Sequence, residues 1–219
     1  AALTTAQVSN LGTEQVAALT TDQLVKLATS NIAALTTDQI QALTTDQLPT
    51  LLTAQVVALK PAQMAALLSD QVGVLTTGQV AVIVPEQAKA MTSDQLSGLD
   101  TSQIPALRTS AVAALSTDQL NSLSSDQVAA LSTAQIASLK ASQLTGLGVE
   151  LFQALTSEQI PVLTTQQAMS LTTAQIASMS LEQLGVFTVS TLGTLTSAQV
   201  RALTSTQLGA LSTTAVSNF

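Results

Sequence analysis

Histidine, cysteine, tryptophan and tyrosine are all absent from this chain of 219 residues, and three phenylalanines make up its whole aromatic content. Each absence excludes something. Without cysteine there are no disulfides and no thiolate metal sites. Without histidine the commonest general base and the commonest metal ligand are missing, and with them the usual nucleophile–base pairs. The six basic residues (Lys26, Lys60, Lys89, Arg108, Lys140, Arg201) are scattered singly. That argues against a nucleic-acid partner, since phosphate binding needs several cations acting together. No apolar run approaches the ~18 residues that would mark a membrane span. A composition 46% hydrophobic and only 9% charged, with a net charge of -7, is the reverse of the disordered signature.

What the chain has is repetition. The stretch ALTTDQIQALTTDQL, Ala34 to Leu48, states one pattern twice. Counting from Leu3 in steps of eight, an apolar residue fills all 28 positions, and it is Leu except at Ile83, Met91, Met179, Phe187 and Phe219. Five places after each Leu lies a second slot, apolar at all 27 positions, among them Ala88, Phe152 and Ala168. Gln or Asn precedes that slot at 23 of 27 positions, the exceptions being Ala111, Leu151, Thr191 and Ala215. No insertion disturbs the register. Residues 1–219 are therefore a single octapeptide-repeat array of about 27 octads, and the loops that normally tolerate insertions are missing.

The octad L-T-T-D-Q-V-x-A carries two helix-start devices at once. Thr after the Leu, and Gln three residues later, form a capping box; the Leu and the Val are placed as a hydrophobic staple. Ser, Thr or Asp fills the cap slot at 18 of 27 positions. Acids recur at the second helical position (Glu14, Asp22, Asp38, Asp46, Asp70 and onward), where the helix dipole favours them. Pro61 and Pro85 fall at the first helical position, where proline is favoured. Pro49, Pro105 and Pro161 fall just after the staple residue, where proline stops a helix.

A helix start every eight residues requires a helix end every eight, so the spacing predicts helices of about four to six residues joined by tight bends. The fold class expected is all-α: an elongated solenoid, or superhelix, of very short helices. One long helix would let its apolar residues spiral around the rod, because eight residues at about 100° each overshoot two turns. A simple amphipathic strand fails too, because slots five apart point to opposite faces. A β-solenoid buried on both faces is the alternative, disfavoured by the poor strand propensity of Ala, Gln and Leu.

Capped turns this short are unstable alone, so stability should come from stacking, with contacts mostly between neighbouring octads. The slot before each Leu is usually small (Ala2, Ala18, Ala34, Ala42), which should let successive backbones approach closely. Departures from Gln at positions 31, 111, 151 and 191 are multiples of 40 residues apart and suggest a coil turn of five octads. On this reading Gln is a cap, so replacing Gln127 should cost about 0.5–2 kcal/mol. Replacing the core residue Leu131 should cost about 2–5 kcal/mol.

The Asp row invites a calcium array, but calcium needs several converging oxygens and the motif offers one carboxylate per octad, often replaced by Ala. The Thr pairs invite an ice-binding hydroxyl row, and the Gln row amyloid stacking; capping explains both more simply. No catalytic residue, metal ligand or cofactor site is expected, and no enzymatic activity.

Tandem ALTTDQ-like octapeptides resemble the repetitive regions of very large bacterial surface or secreted proteins, including adhesin-like ones. The resemblance implies an extracellular or cell-surface stalk, spacer or filament. The absence of polar terminal caps reads as a segment of a longer protein. Self-association, or a surface protein or glycan, would be the partner, with neither nucleic acid nor membrane insertion involved. If the array also carries a binding site, the deviant octads LGVELFQA (Leu147 to Ala154) and FTVSTLGT (Phe187 to Thr194) are where to look. The candidate residues there are Glu150, Phe152, Gln153, Phe187 and Thr191; the plainer reading is that these octads are packing variants.

Overall fold

A computed structural model describes residues 3–187 and 189–217. Among these residues every regular element is a helix of three to six residues and no strand occurs. The all-α expectation holds, and the β-solenoid alternative falls.

One octad illustrates the rest. Ser124 stands in extended conformation (φ -76, ψ 164) and its hydroxyl accepts from the amide of Gln127. The side-chain oxygen of Gln127 accepts from the amide of Ser124 at 2.8 Å. The helix Ser125–Ala130 follows and ends at Leu131, which is again extended (φ -58, ψ 135). Ser132, also extended, caps the next helix, Thr133–Ser138. The connector here is two residues, one in the core and one a cap, and it lengthens where the helix is shorter, as between Thr29–Ile32 and Thr37–Gln41. No described residue has a positive φ, so the bend needs no left-handed glycine of the kind that commonly ends helices. An inserted residue would displace a core side chain or a cap, which is why the register never slips.

The prolines act as their positions predict. Pro61 and Pro85 open the helices Pro61–Ala66 and Pro85–Ala90. In the octads of Pro49, Pro105 and Pro161 no α-helix forms; a turn runs into the 3-10 segments Leu48–Thr50, Ile104–Ala106 and Ile160–Val162. Both apolar slots are buried along most of the chain.

The chain forms two compact units, Ala1–Leu115 and Ser116–Phe219. Within the first, Thr37–Gln41 packs on Pro61–Ala66, which packs on Pro85–Ala90. Within the second, Ala141–Thr145 packs on Thr165–Ser170 and Thr173–Ser178 on Ser197–Ala202. Each helix therefore packs on one three octads away, which corrects the expectation of mainly next-octad contacts. The small slot before each Leu serves this stacking. A Cβ on Gly98 would lie 2.9 Å from the hydroxyl oxygen and 3.2 Å from the carbonyl oxygen of Ser69, and a Cβ on Gly146 would strike the methyl of Thr117. What approaches closely is the preceding coil turn, not the preceding octad.

Candidate functional site

The recurring polar side chain of the array is Gln, and its surroundings decide what chemistry remains available. Gln39 is buried. Its oxygen accepts from the amide of Thr36 at 2.8 Å, completing the cap. Its Nε2 donates to the carbonyls of Val8 at 2.9 Å and Leu11 at 2.7 Å. Gln63 repeats this with Ile32 and Leu35 at 2.9 and 2.7 Å. In the first unit every Gln of the slot from Gln39 to Gln103 donates to the carbonyl 28 residues earlier. In the second unit Gln159, Gln167, Gln175, Gln183, Gln199 and Gln207 do the same.

The accepting carbonyls lie at the ends of short helices, where the regular helical partners run out; that of Val8 also accepts from the amide of Leu11 at 3.1 Å, whereas that of Leu11 lies beyond its helix. A separation of 28 residues is three and a half octads, so the coil turn is shorter than the five octads suggested by the substituted Gln slots. The half-integral value means that each Gln stands over a seam between two octads. Val8 is the second core residue of one octad and Leu11 opens the next, and one amide group ties both.

Gln thus does more than cap, and the sequence carries the signal for it. Where the cap slot has no hydroxyl, as at Gly12, Leu52, Lys60, Leu68, Val84 and Lys140, the Gln still accepts from the backbone amide of that residue. The hydroxyl half of the box is dispensable; the Gln half is kept.

Where Gln is lost, other side chains bridge the turns. At Asn31 the shorter amide reaches only the carbonyl of Leu3, at 2.9 Å. In the octad of Ala111, Arg108 at the cap slot donates through Nε to the carbonyl of Ala81 at 2.8 Å. In the octad of Leu151, Asn121 takes over both tasks. Its Oδ1 accepts from the amide of Gly148 at 2.9 Å and its Nδ2 donates to the carbonyl of Gly146 at 2.8 Å. Neither Arg108 nor Asn121 was identifiable from the repeat, because each acts across 27 residues: Arg108 on the carbonyl of Ala81, Asn121 on the amide of Gly148.

The five candidate residues are placed as follows. Phe152 is completely buried and Phe187 nearly so, each in its apolar slot. Glu150 is exposed, in the first turn of Val149–Gln153, as the other acids of its slot are in theirs. Gln153 is exposed, and its Nε2 donates to the carbonyl of Ser178 at 2.9 Å. Thr191 is half-buried, and its carbonyl accepts from the hydroxyl of Thr194 at 2.7 Å. The two aromatic rings are core, so neither offers a partner an anchor. Among the described residues every buried side-chain nitrogen and oxygen has a hydrogen-bond partner.

The ALTTAQ repeat family matches residues 1–29, 24–53, 50–83, 99–133 and 109–141, together more than half of the chain. The chain belongs to the ALTTAQ repeat family. No curated protein matches it.

Read on the structure, the ALTTAQ octad is a helix cap, a core pair and a coupling amide in eight residues. An open hollow of about 610 Å³ lies in the first coil turn against Leu19, Gln23, Leu27 and Asn31. Its lining consists of ordinary repeat positions: the Leu slot at Leu19 and Leu27, and the Gln slot at Gln23 and Asn31. Smaller hollows of about 220 and 240 Å³ lie near Lys140 and Phe187. No helix among the described residues is long and apolar enough to cross a membrane.

Proposed function

We propose that this chain is a non-enzymatic structural segment, a spacer or stalk of a large extracellular bacterial protein, acting through reach and regularity. The observation that carries this reading is the commitment of Gln. The side chain best suited to recognising a ligand is buried along most of the array and spends its donors and its acceptor on the backbone of its own and the preceding turn. What faces outward is a repeated row of hydroxyls with acids or small residues between them, such as Asp38, Asp46, Ala54 and Ala62. The family membership supports a structural repeat, and the lack of cysteine suits a secreted chain that avoids mispairing.

A binding module built on residues 147–154 or 187–194 is the second reading. The hydrogen bonds of Asn121 to Gly146 and Gly148 weigh against it, because they identify a packing repair where a binding site would be sought. In cells displaying the protein, removing increasing numbers of octads should weaken attachment or assembly in proportion to the length lost. Exchanging only 147–154 and 187–194 for consensus octads, at constant length, should leave it intact. Abrupt loss on exchange would transfer the function to those octads, and failure of surface antibodies to label intact cells would remove the extracellular placement.

A further inference from the structure

The coupling ladder fixes how residues are distributed around each unit. Within the first unit each amide reaches 28 residues back. Residues one or two such intervals apart therefore share a side of the coil, and residues half an interval apart lie on opposite sides. The charged residues, scattered along the sequence, fall into order on that measure. Divided by 28, the numbers of Glu14, Asp38, Asp46, Asp70, Asp94 and Asp100 leave remainders from 10 to 18. Those of Lys26, Lys60, Lys89 and Arg108 leave 26, 4, 5 and 24, about half a turn away. The second unit has the same 28-residue ladder and repeats the division within itself. Asp126, Glu150, Glu158 and Glu182 leave 10 to 18, while Lys140 and Arg201 leave 0 and 5. Asp22, Glu86 and Asp118 are the exceptions. All of these side chains are exposed. Helix dipoles explain why the acids sit at the second helical position, but not which octads hold them. On the basic side of the first unit that same slot is filled by Ser30, Ala54 and Ser110.

We propose that copies of this chain associate side by side, the acidic side of one copy's first unit lying against the basic side of another's. A second copy is the fitting occupant because it presents the opposite charge on the same interval: one coil turn sets the spacing of both sides. The first unit carries both sides, so the contact needs only that unit of each copy. It is heterologous, since the two surfaces that meet are different. Exposed ion pairs are individually weak, so such a contact depends on several forming together, and the shared interval lets them. The net charge of -7 opposes approach of two copies. That repulsion is screened beyond about 8 Å at physiological ionic strength, whereas facing pairs lie inside this distance. The proposal holds whether or not the segment serves as an extracellular spacer.

The test is sedimentation velocity of the 219-residue chain, at one protein concentration, in about 0.02 M and about 1 M monovalent salt. The parent should associate in the first and be monomeric in the second. A relocation variant combines Asp38→Ala, Asp70→Ala and Asp94→Ala with Ser30→Asp, Ala54→Asp and Ser110→Asp. It keeps the net charge and the helix-start slot of every acid but moves three of them across the coil. It should be monomeric at low salt, with the parent's helical circular dichroism. Two single changes alter the net charge equally and decide the matter should the relocation variant lose its fold. Glu86→Gln, on the basic side, should raise the weight-average sedimentation coefficient at low salt, and Asp70→Asn, on the acidic side, should lower it. A parent that is monomeric in low salt, association that survives 1 M salt, equal association of a folded relocation variant, or single changes that act in the same direction would each overturn the proposal.

Discussion

The side-chain amide of Gln71 donates to the carbonyl of Leu43, 28 residues earlier, at 2.6 Å, while the oxygen of the same side chain accepts from the amide of Leu68 at 2.7 Å. One residue therefore starts its own helix and terminates another in the preceding turn. Neutral hydrogen bonds contribute only about 0.5–1.5 kcal/mol each, but stranding a buried group costs about 1–3 kcal/mol. The second figure governs here.

The consequence is that one substitution should have two costs, depending on position. Gln71→Ala strands the amide of Leu68 and the carbonyl of Leu43 together and should destabilise by about 2–6 kcal/mol. That matches or exceeds Leu75→Ala, which should cost about 2–5 kcal/mol. Gln15→Ala, at an exposed position with no second partner, should cost about 1 kcal/mol as an ordinary cap loss. Urea melts decide it: equal costs at positions 15 and 71 would mean that the ladder contributes nothing.

This puts the buried Gln on a level with the core Leu, where the sequence alone ranks it below, and the reason is physical. The capping box lies within four residues and so is legible in one octad; helix starts, the proline roles and both apolar slots follow from it. The coil turn is not written in any octad. It arises from packing between segments 28 residues apart, and substitutions such as Ala111 or Leu151 mark defects in the ladder, not its period. The two candidate aromatics, Phe152 and Phe187, stood out only because large side chains are rare here. Their slots had already assigned them to the core.

Glycine separates close approach from open surface. Gly146→Ala drives a Cβ into the methyl of Thr117, so it should destabilise despite alanine's better helix propensity. Adding Thr117→Ser removes that methyl and should recover most of the loss. Gly185, the last residue of Leu181–Gly185, has nothing within 4 Å of the added atom; Gly185→Ala should be stabilising by up to about 1 kcal/mol. Melting temperatures that moved the same way in both variants would contradict the stacking of the small slot on the preceding turn.

Asp100 is the one acidic cap. Its Oδ1 accepts from the hydroxyl of Ser102 at 2.6 Å, from the amide of Gln103 at 2.8 Å and from the amide of Ser102 at 2.7 Å. Chiefly the Ser102 hydroxyl, and then the Gln103 amide, hold its pKa below the usual carboxylate value. The folded state therefore releases this proton more readily than the unfolded state. The stabilisation is present above the unfolded pKa and is lost as pH falls through the folded one. Asp100→Thr keeps a cap without the charge, so its melting temperature should fall less than the parent's between pH 5 and pH 2, both values about the carboxylate range. Parallel profiles would show that the carboxylate adds nothing beyond a neutral cap.

The ladder and its repairs differ in what they tolerate, and whole-octad deletion exposes the difference. Removing residues 35–42 brings Gln47, Gln55 and Gln63 onto carbonyls of the same two slots one octad earlier and leaves the later Gln residues, from the Gln71–Leu43 bond onward, at their separation of 28, so the coil should close with little loss beyond one octad's contribution. Removing 131–138 does the same for Gln159, but it also shortens the 27-residue separation between Asn121 and Gly148. Asn121 then has neither the amide of Gly148 nor the carbonyl of Gly146 within reach, and Leu151 offers no replacement. The second deletion should cost about 1–3 kcal/mol more than the first, the penalty of one stranded group. Restoring the consensus in that background with Gly148→Thr and Leu151→Gln should return the difference, because the octad then caps itself and couples through the ladder. If both deletions melt alike, the Asn121 bridge is incidental. If the consensus changes fail to rescue, the coupling amide is not what joins the turns.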